Sequence, residues 1–156
     1  MATISPVTIR RARRGDVGVI VGMLADDPLG AARERIEDPL PPCYFQAFDV
    51  LEHAFHIQLV VAEDDTGAVV GCLQLCILPG LSSQGALRAL IEDVRVASPW
   101  RGRGIGEQLV QWAVSEARAR DCRLIELFTH RSRVDAQRFY ARLGFRPSHV
   151  GMTLRF

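Results

Sequence analysis

The chain has 156 residues, with 19 basic and 18 acidic side chains, a formal net charge of +1 and 48% hydrophobic residues. That length suits one domain with its own core, and the balanced charge supplies no field that would draw nucleic acid. No apolar stretch reaches the roughly 20 residues of a membrane-spanning helix, and the start, Met1-Ala2-Thr3-Ile4-Ser5-Pro6, lacks the charged-then-apolar build of a secretion signal.

Cysteines at 43, 72, 76 and 122 form no Cys-x-x-Cys pair, and the histidines at 53, 56, 130 and 149 are scattered. No metal site is expected from that spacing, and reduced thiols fit a cytoplasmic protein.

Val7-Thr8-Ile9-Arg10-Arg11 alternates as a first strand. The arginines at 10, 11, 13 and 14 make a local basic run, read as a solvated strand end. Asp16 is placed to cap a helix carrying Val17, Ile20, Val21 and Leu24, which Asp26-Asp27-Pro28-Leu29-Gly30 breaks. Ala31 to Ile36 reads as a short helical piece. Pro39, Pro41 and Pro42 then force a loop before a second helix over about Tyr44 to Phe55. Strands follow at Ile57 to Glu63 and Ala68 to Leu78, joined by the turn Asp65-Thr66-Gly67. A loop over Pro79 to Gly85 leads to a strand ending at Val96. Past the next loop, Ile105, Leu109, Trp112, Ala113 and Ala117 share a helix face. Arg123 to Thr129 is a strand. Ala136, Phe139, Tyr140 and Leu143 share a helix face that Gly144 caps, and Val150, Met152, Leu154 and Phe156 alternate as a last strand.

The run Arg101-Gly102-Arg103-Gly104-Ile105-Gly106 sits between a strand and a helix start. Unpaired N–H groups, the helix dipole and two arginines make such a turn a site for phosphate, and a pyrophosphate suits it best. No Gly-Lys-Ser/Thr triplet closes the run, so it is not a Walker loop, and its glycines are too closely spaced for a dinucleotide fingerprint.

Arg101, Gly104 and Gly106 match the Arg/Gln-x-x-Gly-x-Gly/Ala loop of the GNAT superfamily, and Ala136-Gln137-Arg138-Phe139-Tyr140 through Gly144-Phe145 resembles its Ala-x-x-Phe-Tyr-x-x-x-Gly-Phe signature. Two motifs in order and separation are more specific than either alone. Ile91-Glu92-Asp93-Val94 with these motifs is also similar to glucosamine-6-phosphate N-acetyltransferases.

The resemblance implies a single-domain α/β (α+β) GNAT fold over residues 1–156. Its mixed sheet would have about seven strands, splayed between the fourth and fifth, with about four helices. It implies an N-acetyltransferase that moves an acetyl group from acetyl-CoA, without metal, to a primary amine by direct attack in a ternary complex. A small-molecule acceptor is expected, with no nucleic-acid or membrane partner, and an exposed sheet edge leaves room for a homodimer. A protein amine acceptor and a non-catalytic acyl-CoA sensor are the alternatives.

By the same resemblance, Val94 and Val96 would hold the pantetheine arm, an N–H near Val94 would polarise the thioester carbonyl, and Arg101, Gly102, Arg103, Gly104, Ile105 and Gly106 would take the pyrophosphate. Tyr140 stands at the family's acid position, where a protonated phenol can donate to a leaving thiolate. Glu92 is a candidate base, with Asp93 as rival and no dedicated base as a third option. Strand parity puts Glu92 with Leu90, Val94 and Val96, where burial would raise its pKa unless a bulge intervenes. Arg133 replaces the asparagine common in the family, and would either reach a CoA phosphate or simply be exposed. The acceptor wall would come from Asp26 to Tyr44, Pro79 to Gly85 and Arg146 to Gly151, with Asp26, Asp27, Glu37 and Asp38 available to a cationic substrate.

Overall fold

In the computed structural model, which describes residues 5–156, the β-branched and leucine-rich middle of the chain forms the inside of a five-stranded sheet. Strands β1 (Thr8–Arg11), β2 (Ile57–Glu63), β3 (Val69–Leu78), β4 (Arg88–Val96) and β5 (Leu124–Leu127) lie in chain order. All pairs are antiparallel except β4 with β5. β2 and β3 are apolar on both sides because both faces of the sheet are covered.

Helix α5 (Ile105–Ala119) covers one face. Its Ile105, Leu109, Val110, Ala113 and Ala117 pack into the core built on Val60, Leu73, Leu75, Ala89 and Ile91. Helices α1 (Val17–Ala25) and α3 (Pro42–His53) cover the other through Ile20, Met23, Val21 and Phe48 against Val61, Cys72 and Leu59. Helix α6 (Val134–Arg142) adds Phe139 and Tyr140 to the edge of the α5-side core.

Two of the four arginines in the basic run near the N-terminus are paired with carboxylates. Arg10 bridges Asp16 (2.7 Å) and Glu63 (2.5 Å), which raises its pKa further, and Arg14 pairs with Asp49. Asp16 does not cap α1. Its carboxylate accepts from the Arg13 N–H at 2.7 Å within a 3-10 turn.

Two local expectations shift. The segment Asp27-Pro28-Leu29-Gly30 does not merely break α1; it starts a one-turn helix, α2 (Pro28–Ala31), three residues earlier than the expected piece. Asp27 accepts from the N–H groups of Leu29 (2.9 Å) and Gly30 (2.8 Å), with Pro28 at the first position. A side chain at Gly30 would lie 1.9 Å from the Leu24 carbonyl oxygen, so glycine lets α2 fold tightly back on α1. A second short turn, α4 (Ser82–Gly85), holds Ser83 and Gln84 at φ 53° and 64°.

Seven strands and four helices were expected; the described residues hold five strands and six helices. The last strand, expected at Val150 to Phe156, is missing. Residues 146–156 form no ladder, and Val150, Met152, Leu154 and Phe156 are 85, 93, 78 and 114% exposed. Alternation makes a strand only where a neighbouring edge takes its backbone hydrogen bonds. The outer edge of β5 is unpaired among the described residues.

Candidate active site

β4 and β5 pair only from Arg88↔Leu124 to Ile91↔Leu127. Beyond this point β4 continues to Val96 while β5 has ended. The expected splay between the fourth and fifth strands is therefore present. It opens into a cleft of about 550 Å³ lined from β4 by Glu92 to Arg95, from the chain after β5 by Phe128 and His130, and from α6 by Ala136 and Tyr140.

A bulge shapes the β4 wall. Gln74 pairs with Glu92 and Cys72 with Arg95, so Leu73 faces two residues, Asp93 and Val94. Asp93 takes φ 50°, and its carbonyl accepts a 3.6 Å hydrogen bond from the Cys72 thiol. The extra residue disrupts the ladder and leaves backbone polar groups beside the cleft. It also flips parity. Ala89 and Ile91 lie in the α5-side core, and without the bulge Asp93 and Arg95 would follow them. With it, Val94 and Val96 enter that core, and Arg95 turns to the opposite face.

This corrects the expected burial of Glu92 beside Val94 and Val96. Glu92 is exposed, accepting from Gln74 Nε2 (3.0 Å) and the Cys76 thiol (3.7 Å). Asp93 is also exposed and borders the cleft.

Tyr140 is half-buried, edge-on to Phe139 (5.0 Å between ring centroids) and Phe145 (5.8 Å). Burial pushes its phenol pKa above 10, partly offset by the Arg95 and Arg133 charges. Its hydroxyl has no hydrogen-bond partner among the described residues, and its ring lines the cleft.

The glycine loop lies outside that lining. Gly102 and Gly104 both take φ 77°, and Gly104 is the N-cap of α5, where no side chain caps the first N–H groups. A side chain at Gly102 would meet nothing within 4 Å, so the backbone there is open to a ligand. Arg103 stacks over Trp100, 4.9 Å from the ring centroid. Arg101 is bound within the protein: its guanidinium donates to Asp26 Oδ2 (2.8 Å) and to the Val96 carbonyl (3.1 Å). Gly106 faces Phe139 and Val96, which ties the loop to α6 and β4.

Three of the four acidic residues expected to meet a cationic substrate are paired, and Asp38 makes no ion pair among the described residues. Asp26 pairs with Arg101 and Asp27 with Arg133, each at 2.8 Å, and Glu37 lies 3.8 Å from Arg35. Burial raises the Asp27 pKa, but the Gly30 N–H and the Arg133 and Arg95 charges outweigh it, so the net shift is downward. Arg133 lines the cleft through this pairing. Of the expected acceptor wall, Leu29, Ala32 and Arg33 contribute, whereas Pro79 to Gly85 and Arg146 to Gly151 do not.

Arg95, His130 and Arg155 were missed as cleft residues. Arg95 carried a signal: a charged side chain between Val94 and Val96, in a strand otherwise bound for the core.

A mixed sheet opened at its parallel pair, with a glycine-capped helix beside the opening, is the architecture of an acyl-transferring enzyme of the GNAT type. The chain belongs to that family: the model of the Acetyltransferase (GNAT) family matches residues 17–145. Its reaction class is N-acetylation of an amine. It is 36% identical over 107 residues to the aminoalkylphosphonate N-acetyltransferase of Salmonella typhimurium, covering 69% of this chain and 67% of that one. It is 30% identical over 106 residues to the glucosamine 6-phosphate N-acetyltransferase of Trypanosoma brucei brucei, covering 68% and 70%. Among solved structures, one described as a transcriptional regulator from Bacillus halodurans C-125 superposes with a TM-score of 0.93 at 48% identity, covering 97% of this chain and 100% of that one. Among the described residues no helix is long and apolar enough to cross a membrane, and no group of three potential metal ligands occurs.

Proposed function

We propose that the protein transfers the acetyl group of acetyl-CoA to the primary amine of a small molecule, with both substrates bound together at the β4–β5 opening. The observation that carries this reading is the loss of strand pairing beyond Ile91 and Leu127, beside a bulge and facing Tyr140. An extended arm can take the backbone hydrogen bonds that β5 leaves unmade along Val94 to Val96. The open backbone at Gly102 and the uncapped start of α5 at Gly104 fit a pyrophosphate, with Arg103 nearby and Ile105 and Gly106 offering N–H groups. Arg101 acts from behind, fixing the loop through Asp26. Arg133 holds α6 to Asp27 at the cleft wall.

Acetyl-CoA supplies an activated acetyl thioester when bound. The protein's tasks are to place the amine, polarise the carbonyl and manage protons. A backbone N–H in the Asp93–Val94 bulge would polarise the carbonyl. Glu92 or Asp93, both exposed at the cleft, accepts a proton from the ammonium directly or through water, and bulk water can serve as well. Nitrogen then bonds to the acetyl carbon, the carbon–sulfur bond breaks, and the Tyr140 hydroxyl gives its proton to the departing sulfur. The second proton lost by nitrogen returns to Tyr140 through solvent.

Calorimetric titration with acetyl-CoA, followed by mass-spectrometric detection of acetylated products from a panel of small amines, tests the reading. Selective binding and a product 42 Da (about one acetyl group for one hydrogen) heavier support it. Binding without turnover across the panel would favour an acyl-CoA sensor. A homodimer draws support from the unpaired β5 edge and the exposed apolar row at residues 150–156. A sedimentation mass of one 17.3 kDa chain would refute it.

A further inference from the structure

One side-chain polar atom among the described residues is buried without a hydrogen-bond partner, and it is Arg95 Nε. Buried polar groups are nearly always satisfied, so an exception in a cleft points to something the site receives. Arg95 also makes no ion pair among the described residues; its one hydrogen bond runs from Nη1 to the neighbouring Val94 carbonyl at 2.9 Å. A half-buried guanidinium without a counter-ion is costly, because the low dielectric that weakens its hydration also strengthens its pull on an anion.

The surroundings share its sign. Arg33, Arg133 and Arg155 line the same cleft. Arg33 is bonded to Glu34 (2.7 Å) and Arg133 to Asp27 (2.8 Å), while Arg155 has no acidic partner among the described residues. The only acidic side chains in the lining are Glu92 and Asp93, next to one another on β4. The charged side chains of the cleft are thus segregated, with two carboxylates at one point of β4 and four guanidinium groups elsewhere, among apolar residues. The bulge produces this arrangement by turning Arg95 out of the α5-side core.

We propose that the acceptor carries an oxyanion as well as its amine, and that Arg95 is the residue that selects it. This rests on the acetyltransferase reading above. The acetyl donor does not meet the demand: the Arg101–Gly106 loop lies outside the cleft, and the pantetheine arm between pyrophosphate and thioester is uncharged. An oxyanion on the acceptor supplies the counter-charge the Arg95 guanidinium lacks, and the planar guanidinium gives it hydrogen-bond geometry a lysine cannot match. Its ammonium end is then drawn toward Glu92 and Asp93, beside Tyr140. Arg155 extends the same basic wall from the C-terminal segment.

The test compares kcat/KM for O-phosphoethanolamine, β-alanine, n-propylamine and 1,4-diaminobutane in wild type, Arg95→Met and Arg95→Lys, with circular dichroism confirming that each is folded. Calorimetric titration of O-phosphoethanolamine into the CoA-saturated protein gives a second readout independent of turnover. In wild type an oxyanion-bearing amine is preferred over n-propylamine. Arg95→Met lowers kcat/KM for that amine about 10- to 100-fold more than for n-propylamine, chiefly through KM, as loss of charged hydrogen bonds implies. Arg95→Lys recovers part of the loss. The phosphate and carboxylate amines tell which oxyanion the wall suits. An equal loss for all four amines, a matching loss of acetyl-CoA affinity, or a preference for the diamine would overturn the inference and leave the acetyltransferase standing. No turnover on any amine would instead strike the enzyme reading, while calorimetric binding would still report on Arg95.

Discussion

Replacing Tyr140 by Phe removes one oxygen and keeps the ring. The edge-on contacts with Phe139 and Phe145, at 5.0 and 5.8 Å, survive, and no hydrogen bond of the hydroxyl is lost among the described residues. The folding cost is therefore small, less than about 1 kcal/mol. The catalytic cost is not: loss of a general acid lowers turnover by about 10²–10⁴, or roughly 3–5 kcal/mol of barrier. Stopped assays of kcat, with acetyl-CoA affinity by calorimetry and Tm by fluorimetry, separate these quantities. The expected result is a collapsed kcat with nearly unchanged Kd and Tm. Because burial raises the phenol pKa above 10, Tyr140 stays protonated at neutral and mildly alkaline pH and imposes no fall in kcat there. A variant with kcat within about threefold of wild type, below the range expected of a general acid, would remove Tyr140 from the role. Equal losses of kcat and acetyl-CoA affinity would make it a wall of the donor site instead.

Gly104→Asp forces a side chain and a negative charge onto a residue at φ 77° beside the uncapped α5 start, and acetyl-CoA binding is expected to vanish while the fold persists; retained affinity would dismiss the loop as the donor site. Asp27→Ala removes the α2 cap and the partner of Arg133, and is expected to cost about 1 kcal/mol at pH 7. Because the folded Asp27 pKa lies below the ordinary 3.8, its contribution is present above that pH and fades as pH falls. The Tm gap between wild type and variant therefore narrows toward pH 3, and a gap constant with pH would contradict the assignment. Burial pushes the Cys72 thiol up to about 12, and those of Cys76 and Cys122 are also raised by burial, whereas Cys43 is exposed. Brief alkylation at pH 8 should mark Cys43 first; early labelling of Cys72 in the folded protein would show that its strand opens.

Elements that bury a regular pattern were legible from sequence. The α5 stripe and the β2 and β3 runs were read within a residue or so, because period and burial agree there. The glycine run was legible because Gly102 and Gly104 need positive φ whatever surrounds them. The β4 bulge entered only as the exception that would overturn the Glu92 parity, and its place was not legible, since its register is fixed by the partner strand: nothing local to Glu92-Asp93-Val94 says that Leu73 will face two residues. One inserted residue then decided which side chains meet the cleft, exposing Glu92 and redirecting Arg95. The acidic loop misled because Asp26 and Asp27 meet arginines more than 70 positions away, beyond any local pattern. The C-terminal alternation was read correctly as a pattern but not as a strand, for want of a partner edge.

The two ends of the described chain border the two halves of the opening. The Ser5 N–H donates to the Arg103 carbonyl at 3.2 Å, and its own carbonyl accepts from Gln108 at 2.9 Å, beside the glycine loop. Arg155 lines the cleft at the other end. Two segments remote in sequence therefore bear on one site: Ser5 steadies the glycine loop, and Arg155 adds a charge to the cleft. Arg155→Met is thus expected to change kinetics without disturbing Tyr140 or Glu92.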